Sequence, residues 1–159
     1  MSDPFAAIGQ CQCSHVWYPM TRRPLIVHCC HCRSCQREGG GALVLNALIE
    51  SSYVEVLSLD KPDIEWTDTA SGKGQRIARC PTCRIALWSH YYVWGDERLS
   101  FVRVGTLNNP DLLPPDVHVF TESKQPWMIL PVGARAFAEH YDWKTVWPEY
   151  SKARWRAII

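Results

Sequence analysis

Eight cysteines stand in a chain of 159 residues, and their spacing sorts them into chelating groups. Cys11-Gln12-Cys13 is a C-x-C pair. Cys80-Pro81-Thr82-Cys83 is a C-x-x-C pair at a turn, shaped like a zinc knuckle. Cys29, Cys30, Cys32 and Cys35 fall within seven positions. Clustered thiols have two chemistries open to them: disulfides in an oxidising compartment, or metal ligation in a reducing one. The stretch MSDPFAAIGQ lacks the basic start and apolar core of an export signal, which implies a reducing, cytoplasmic setting. Metal ligation is therefore the chemistry to expect.

Structural zinc takes four thiolates, commonly as two close pairs from distant segments. Cys11 and Cys13 with Cys80 and Cys83 have that form. The C-x-C pair is expected on a strand, where alternate residues share a face and both sulfurs reach one ion. In the central cluster, the spacing C-x-C-x-x-C gives Cys30, Cys32 and Cys35 a one-sided grip on a second ion. Three protein ligands leave a position open for chemistry, whereas four close it. The alternative is a closed site that uses Cys29 as well. In the open reading Cys29 faces away from its neighbour Cys30 and is a buried structural thiol. His31, held between two ligands, is expected to point outward. His118, on the last expected strand, is read as a structural histidine with its hydrogen bonds met.

The elements that must position these residues are short strands. QCQCSHVWY, PLIVHC, GALVLNALI, YVEVLSL, GQRIARC, IALWSHYYV, LSFVRVGTL and DVHVFTE alternate or are rich in β-branched residues. TRRP, DKPD, SGKG, WGDE and NNPDLLPPD punctuate them. SGKGQR lacks the spacing of a phosphate loop and reads as a hairpin turn. The pattern predicts a mainly β chain, a sandwich or small open barrel. Helix is confined to one turn in HCRSCQRE and a short C-terminal helix from Trp147, with Pro148 at its first position.

Seventeen basic and sixteen acidic residues give a net charge of +1. A zinc with four thiolates carries −2 and one with three carries −1, which takes the loaded chain to −2. Neither figure suits a nucleic-acid-binding role. The longest apolar run, ALVLNALI, is far short of the roughly 20 residues that span a bilayer, so no membrane partner is expected.

GQCQC at 9–13, CHCRSCQREGG at 30–40, CPTC at 80–83, VGTLNNP at 104–110 and KQPW at 124–127 occur in that order. In this the chain resembles the glutathione-dependent formaldehyde-activating enzyme family, which includes the centromere protein V type domain. The resemblance implies a small Mss4-like fold of antiparallel strands stapled by zinc, covering residues 5–135, with a tail at 136–159 that carries the short helix. It implies two zincs per chain. Cys11, Cys13, Cys80 and Cys83 would hold a structural ion, and Cys30, Cys32 and Cys35 a catalytic one. It implies a carbon–sulfur lyase that acts on an aldehyde adduct of a thiol such as glutathione, with a homodimer allowed. A zinc-binding module or glutathione carrier without turnover is the alternative. Arg37, two residues after Cys35, is the candidate for a substrate carboxylate, and Trp127 for the pocket wall. Gly39, Gly40 and Gly41 either admit close backbone approach near the metal or form a plain turn. The sequence departs from the family pattern at Ser14 and Arg84, where glycine is usual after a cysteine pair, and at Glu38 beside the catalytic loop.

Overall fold

A computed structural model describes residues 4–92 and 96–158. The WGDE turn and the end of IALWSHYYV lie partly outside the described residues. Strands β1 (Ala7–Gln10) and β2 (Trp17–Met20) form an antiparallel pair. A seven-stranded sheet contains β3 (Ile26–Cys30), β4 (Val44–Glu50), β5 (Asp63–Thr67), β6 (Gln75–Arg79), β7 (Ala86–Tyr91), β8 (Leu99–Arg103) and β9 (Val117–Val119), in the order β5-β6-β7-β8-β4-β3-β9. Helix α1 (Arg33–Gly39) follows β3, and α2 (Trp143–Val146) and α3 (Glu149–Arg156) close the chain. The fold is mainly β, as the alternation predicts.

The sheet has two buried faces because both sets of alternating residues are apolar. Val27 pairs with Ala47, which pairs with Val102, and this row packs with Val16, Tyr18 and Met20 in one core. One residue along, Ile26 pairs with Leu48, which pairs with Phe101, and this row joins Val146, Trp147 and Trp155 in a second core. Residues of the β1–β2 hairpin thus serve one face and the C-terminal helices the other. The tail is fastened by polar contacts too. Ser151 Oγ donates to the Leu25 carbonyl at 2.6 Å, and Arg154 donates to both carboxylate oxygens of Glu50 at 2.8 and 2.5 Å.

Four expectations change. The C-x-C pair sits in the turn between β1 and β2, not on a strand. YVEVLSL forms no strand beyond one bridge between Val54 and Met20. Side chains meet its polar backbone instead: Lys61 Nζ donates to the carbonyls of Val56 and Ser58. Strand β5, from DIEWT, takes the sheet edge in its place. Pro148 is the cap of α3, whose first helical residue is Glu149. Finally, β9 pairs with β3 in parallel, the one exception to the antiparallel pattern among the described strands.

Candidate metal centres

The first group comes from two turns that approach each other. Cys11 Sγ lies 3.5 Å from Cys13 Sγ, and Cys13 Sγ lies 3.6 Å from Cys80 Sγ. All four ligand atoms, with Cys83, fall within 4.8 Å of one another. Zn–S bonds of about 2.3 Å in a tetrahedron place sulfurs about 3.8 Å apart, so this donor set fits zinc. The two turns have the same form. Ser14 N donates to the Cys11 carbonyl at 3.1 Å, and Arg84 N to the Cys80 carbonyl at 3.0 Å. Ser14 and Arg84 both have φ of 63°, the left-handed conformation that explains why glycine suits these places. Backbone amides also aim at sulfur, Val16 N at Cys11 Sγ (3.3 Å) and Cys83 N at Cys80 Sγ (3.5 Å).

The second group is built by the exit from β3 into α1. Cys30 ends the strand, Cys32 caps the helix, and Cys35 lies in its first turn. Cys35 N donates to Cys32 Sγ at 3.3 Å. The three sulfurs lie within 4.8 Å of one another, with Cys30 and Cys35 buried and Cys32 half-buried. Without metal, hydrogen bonds from Cys30 and Cys35 hold the Cys32 thiol down at about 2. The Cys30 thiol is pushed up, first by its hydrogen bond to Cys32. Hydrogen bonding with Cys30 draws Cys35 down, but Cys32 and burial outweigh it and leave Cys35 at about 12. Ionising one of the three sulfurs thus opposes ionising the other two. Bringing all three to the thiolate form requires a cation among them. This donor set also fits zinc, with three ligands rather than four.

Sequence reasoning missed two residues around this group. Arg103 is buried on β8, where it donates to Asn46 Oδ1 and, at 3.0 Å, to Ser89 Oγ. Its guanidinium charge draws Cys35 down. An arginine in the alternating stretch LSFVRV reads as solvent-facing, so nothing in the sequence points to it. Gln36 is buried on α1, and its Nε2 donates to the carbonyls of His31 (2.8 Å) and Ser123 (3.1 Å). Its Oε1 accepts from Arg33 and from Gln125.

An open cleft of about 580 Å³ runs along α1, lined by Arg33, Gln36, Arg37, Gly40, Gln125 and Trp127 among others. Arg37 and Trp127 thus stand at one cavity. Trp127 Nε1 donates to Gln125 Oε1 at 2.5 Å, while the ring stays largely exposed. Glu38 turns elsewhere and pairs with Arg79, which also holds Glu65 at 2.9 Å. Gly40, with φ of 66°, ends α1 in the left-handed conformation, and a side chain at Gly39 would meet Val44 Cγ2 at 2.9 Å.

His31 does not point outward; it is fully buried. The reason is that His31 N donates to the Val119 carbonyl at 3.0 Å, which carries the pairing with β9 one residue beyond β3. The chain keeps alternating, so His31 shares a face with Cys29 and turns its back on Cys30 and Cys32. His118 meets it there, with His31 Nε2 and His118 Nδ1 3.0 Å apart. Desolvation lowers both histidines, and burial pushes the buried Cys29 thiol up to about 11.

Residues 6–123 match the family model described as glutathione-dependent formaldehyde-activating enzyme. The chain belongs to this family. A crystal structure of a Rhodobacter sphaeroides protein is similar to the chain, with a TM-score of 0.47 and 20% identity, covering 68% of this chain and 96% of that one. No curated protein sequence matches the chain. Membership links the protein to glutathione and formaldehyde chemistry, and its cysteine groups could hold metal ions of the zinc kind. Among the described residues, no helix is long and apolar enough to cross a membrane.

Proposed function

We propose that this chain is a zinc-dependent carbon–sulfur lyase acting on the adduct of a small thiol, of the glutathione type, with an aldehyde. The observation that carries the reading is the convergence of Cys30, Cys32 and Cys35 on one point at the helix that lines the cleft. Cys11, Cys13, Cys80 and Cys83 would hold a second zinc that fixes the fold. Zinc bound by three thiolates leaves a ligand position and keeps an incoming thiol ionised near neutral pH.

The chain's own groups do the rest. Arg33 and Arg37 give the cleft two guanidiniums suited to the carboxylates of a glutathione-like molecule. Gln125 and Trp127 also line it. In the forward direction the substrate sulfur adds to the aldehyde carbon. The carbonyl π pair moves to oxygen, which takes up the proton that the thiol released. The lyase direction reverses this, breaking the carbon–sulfur bond and returning the proton to sulfur. Gln36, tied to His31 and Ser123, holds α1 against the loop that carries the cysteines. The same arrangement suits a chain of cytoplasmic location, because reduced thiols are required throughout.

The test combines zinc per chain with the rate of thiol–aldehyde exchange, read by exchange NMR on glutathione and formaldehyde. The parent should hold two zincs and speed the exchange. Cys32→Ser should hold one zinc, keep its fold and lose the acceleration. Retained acceleration in Cys32→Ser would sink the reading. Glutathione binding without acceleration in the parent would make the protein a carrier instead.

A further inference from the structure

Cys29, His31 and His118 form a group that neither cysteine site uses. We infer that they make a third metal site, for one soft monovalent d-block cation of the Cu⁺ kind. The inference stands apart from the lyase reading, since it concerns the opposite face of the strand.

Topology brings the donors together. Cys29 pairs in register with His118 on the parallel strand β9, so the two side chains leave the sheet side by side. His31, two residues on from Cys29, joins them on that face. Cys29 Sγ lies 3.5 Å from His31 Nε2, and His31 Nε2 lies 3.0 Å from His118 Nδ1. All three donor atoms fall within 4.8 Å of one another. A trigonal ion with metal–nitrogen bonds near 2.0 Å and metal–sulfur bonds near 2.3 Å needs donor separations of roughly 3.5–3.8 Å. Small ring movements supply the difference.

The packing leaves this group incompletely satisfied. His31 Nδ1 is buried and has no hydrogen-bond partner. The contact between His31 Nε2 and His118 Nδ1 uses one proton for two nitrogens. Such a buried, half-paired imidazole is unfavourable unless its other nitrogen gains more than a neutral hydrogen bond. Coordination provides that gain. On binding, Cys29 releases its thiol proton to solvent, and each imidazole keeps its proton on the nitrogen turned away from the ion. No electron moves.

The donor set and the burial select the ion. Thiolate and imidazole together suit copper and zinc. Cys29, His31 and His118 are 2%, 0% and 7% exposed, and no further Cys, His, Asp or Glu among the described residues joins the group. Zinc prefers four ligands. A divalent ion with one thiolate would also bury a net positive charge, which is costly, whereas a monovalent ion leaves the site neutral. An ion here would fasten β3 to β9 directly behind Cys30 and Cys32.

The experiment starts from reduced, zinc-loaded protein under anaerobic conditions, given one equivalent of Cu⁺ from a buffered donor. Copper and zinc contents are measured, with the copper K-edge absorption spectrum. The expected result is about one copper bound, zinc content unchanged, and imidazole scattering in the spectrum. The two cysteine groups can give only sulfur. His118→Ala should weaken copper retention at least 100-fold while keeping its zinc. If that variant loses zinc through misfolding, Cys29→Ser replaces it, with the same expectation. Copper that displaces zinc with sulfur-only scattering would overturn the site, as would parent-like copper binding in a folded variant. Uptake of an extra Zn²⁺ in preference to Cu⁺ would overturn the choice of ion.

Discussion

Ser14 and Arg84 hold the same backbone conformation, φ 63°, each one residue beyond a cysteine pair of the first metal group. The two turns that clasp this group are built alike, and each needs a residue that tolerates the left-handed region. A β-branched side chain there is strained, by roughly 1–2 kcal/mol. Ser14→Val should therefore lower the denaturation midpoint and release zinc to a chelator sooner, while Ser14→Gly should be neutral or slightly stabilising. Chelator-release rates with the three proteins check this. A Val variant that matches the parent would contradict it.

Arg103 is a buried cation beside a site that gathers negative charge. Arg103→Met removes the charge and leaves Asn46 Oδ1 and Ser89 Oγ without their donor. Stability should fall by about 2–4 kcal/mol. Zinc held by Cys30, Cys32 and Cys35 should also be retained about tenfold less firmly, which corresponds to about 1.4 kcal/mol. Zinc competition on the folded proteins without denaturant, beside urea unfolding, separates the two effects, and Arg103→Lys should restore part of the retention.

Glu50 and Arg154 join the tail to the sheet through two hydrogen bonds between side chains that are each 10% exposed. Removing either partner alone strands the other charge, at about 3–5 kcal/mol. The double variant Glu50→Ala, Arg154→Ala should cost clearly less than the sum of the singles. Urea unfolding of the four proteins gives the coupling directly, and simple additivity would show that the pair does not act as a unit.

His28 is buried, donates or accepts at Tyr141 Oη over 2.5 Å, and is held down to about 3 by desolvation first and by His140 second. A lowered folded value means that the unfolded chain takes up the proton first. The corresponding stability is complete above pH 6.5 and declines as pH falls toward 3. The urea midpoint of the parent should drop between pH 7 and pH 5.5 more steeply than that of His28→Gln. Parallel slopes would assign the acid sensitivity to other groups.

Much of this molecule was legible in its sequence, and the failures have physical causes. Alternation located most strands, because a sheet residue's side-chain period is two whatever lies around it. It failed at YVEVLSL, where Lys61 meets carbonyls, those of Val56 and Ser58, that a neighbouring strand would otherwise pair. Cysteine spacing grouped the sulfurs that do lie together, since ligands close in sequence must reach the same ion. The same local logic misplaced His31. Its direction is set by β9, which pairs with the chain from nearly ninety residues away, and no local pattern carries that. Arg103 and Gln36 were missed for the same reason, as each owes its role to partners distant in sequence.

The long loop between the two halves of the first metal group has a consequence for synthesis. Cys13 and its partner Cys80 are 67 residues apart. At about 5–20 residues per second, the ribosome needs roughly 3–13 s to deliver the second pair after the first. During that interval the nascent chain comes to display six thiols, Cys11 to Cys35, without the two that complete the first group. An ion taken up then by Cys11 and Cys13 finds further sulfurs only among Cys29, Cys30, Cys32 and Cys35, which belong to other groups. The order in which the cysteines are made therefore lets the Cys30, Cys32 and Cys35 group close early, while the first group can close only after Cys83 has emerged.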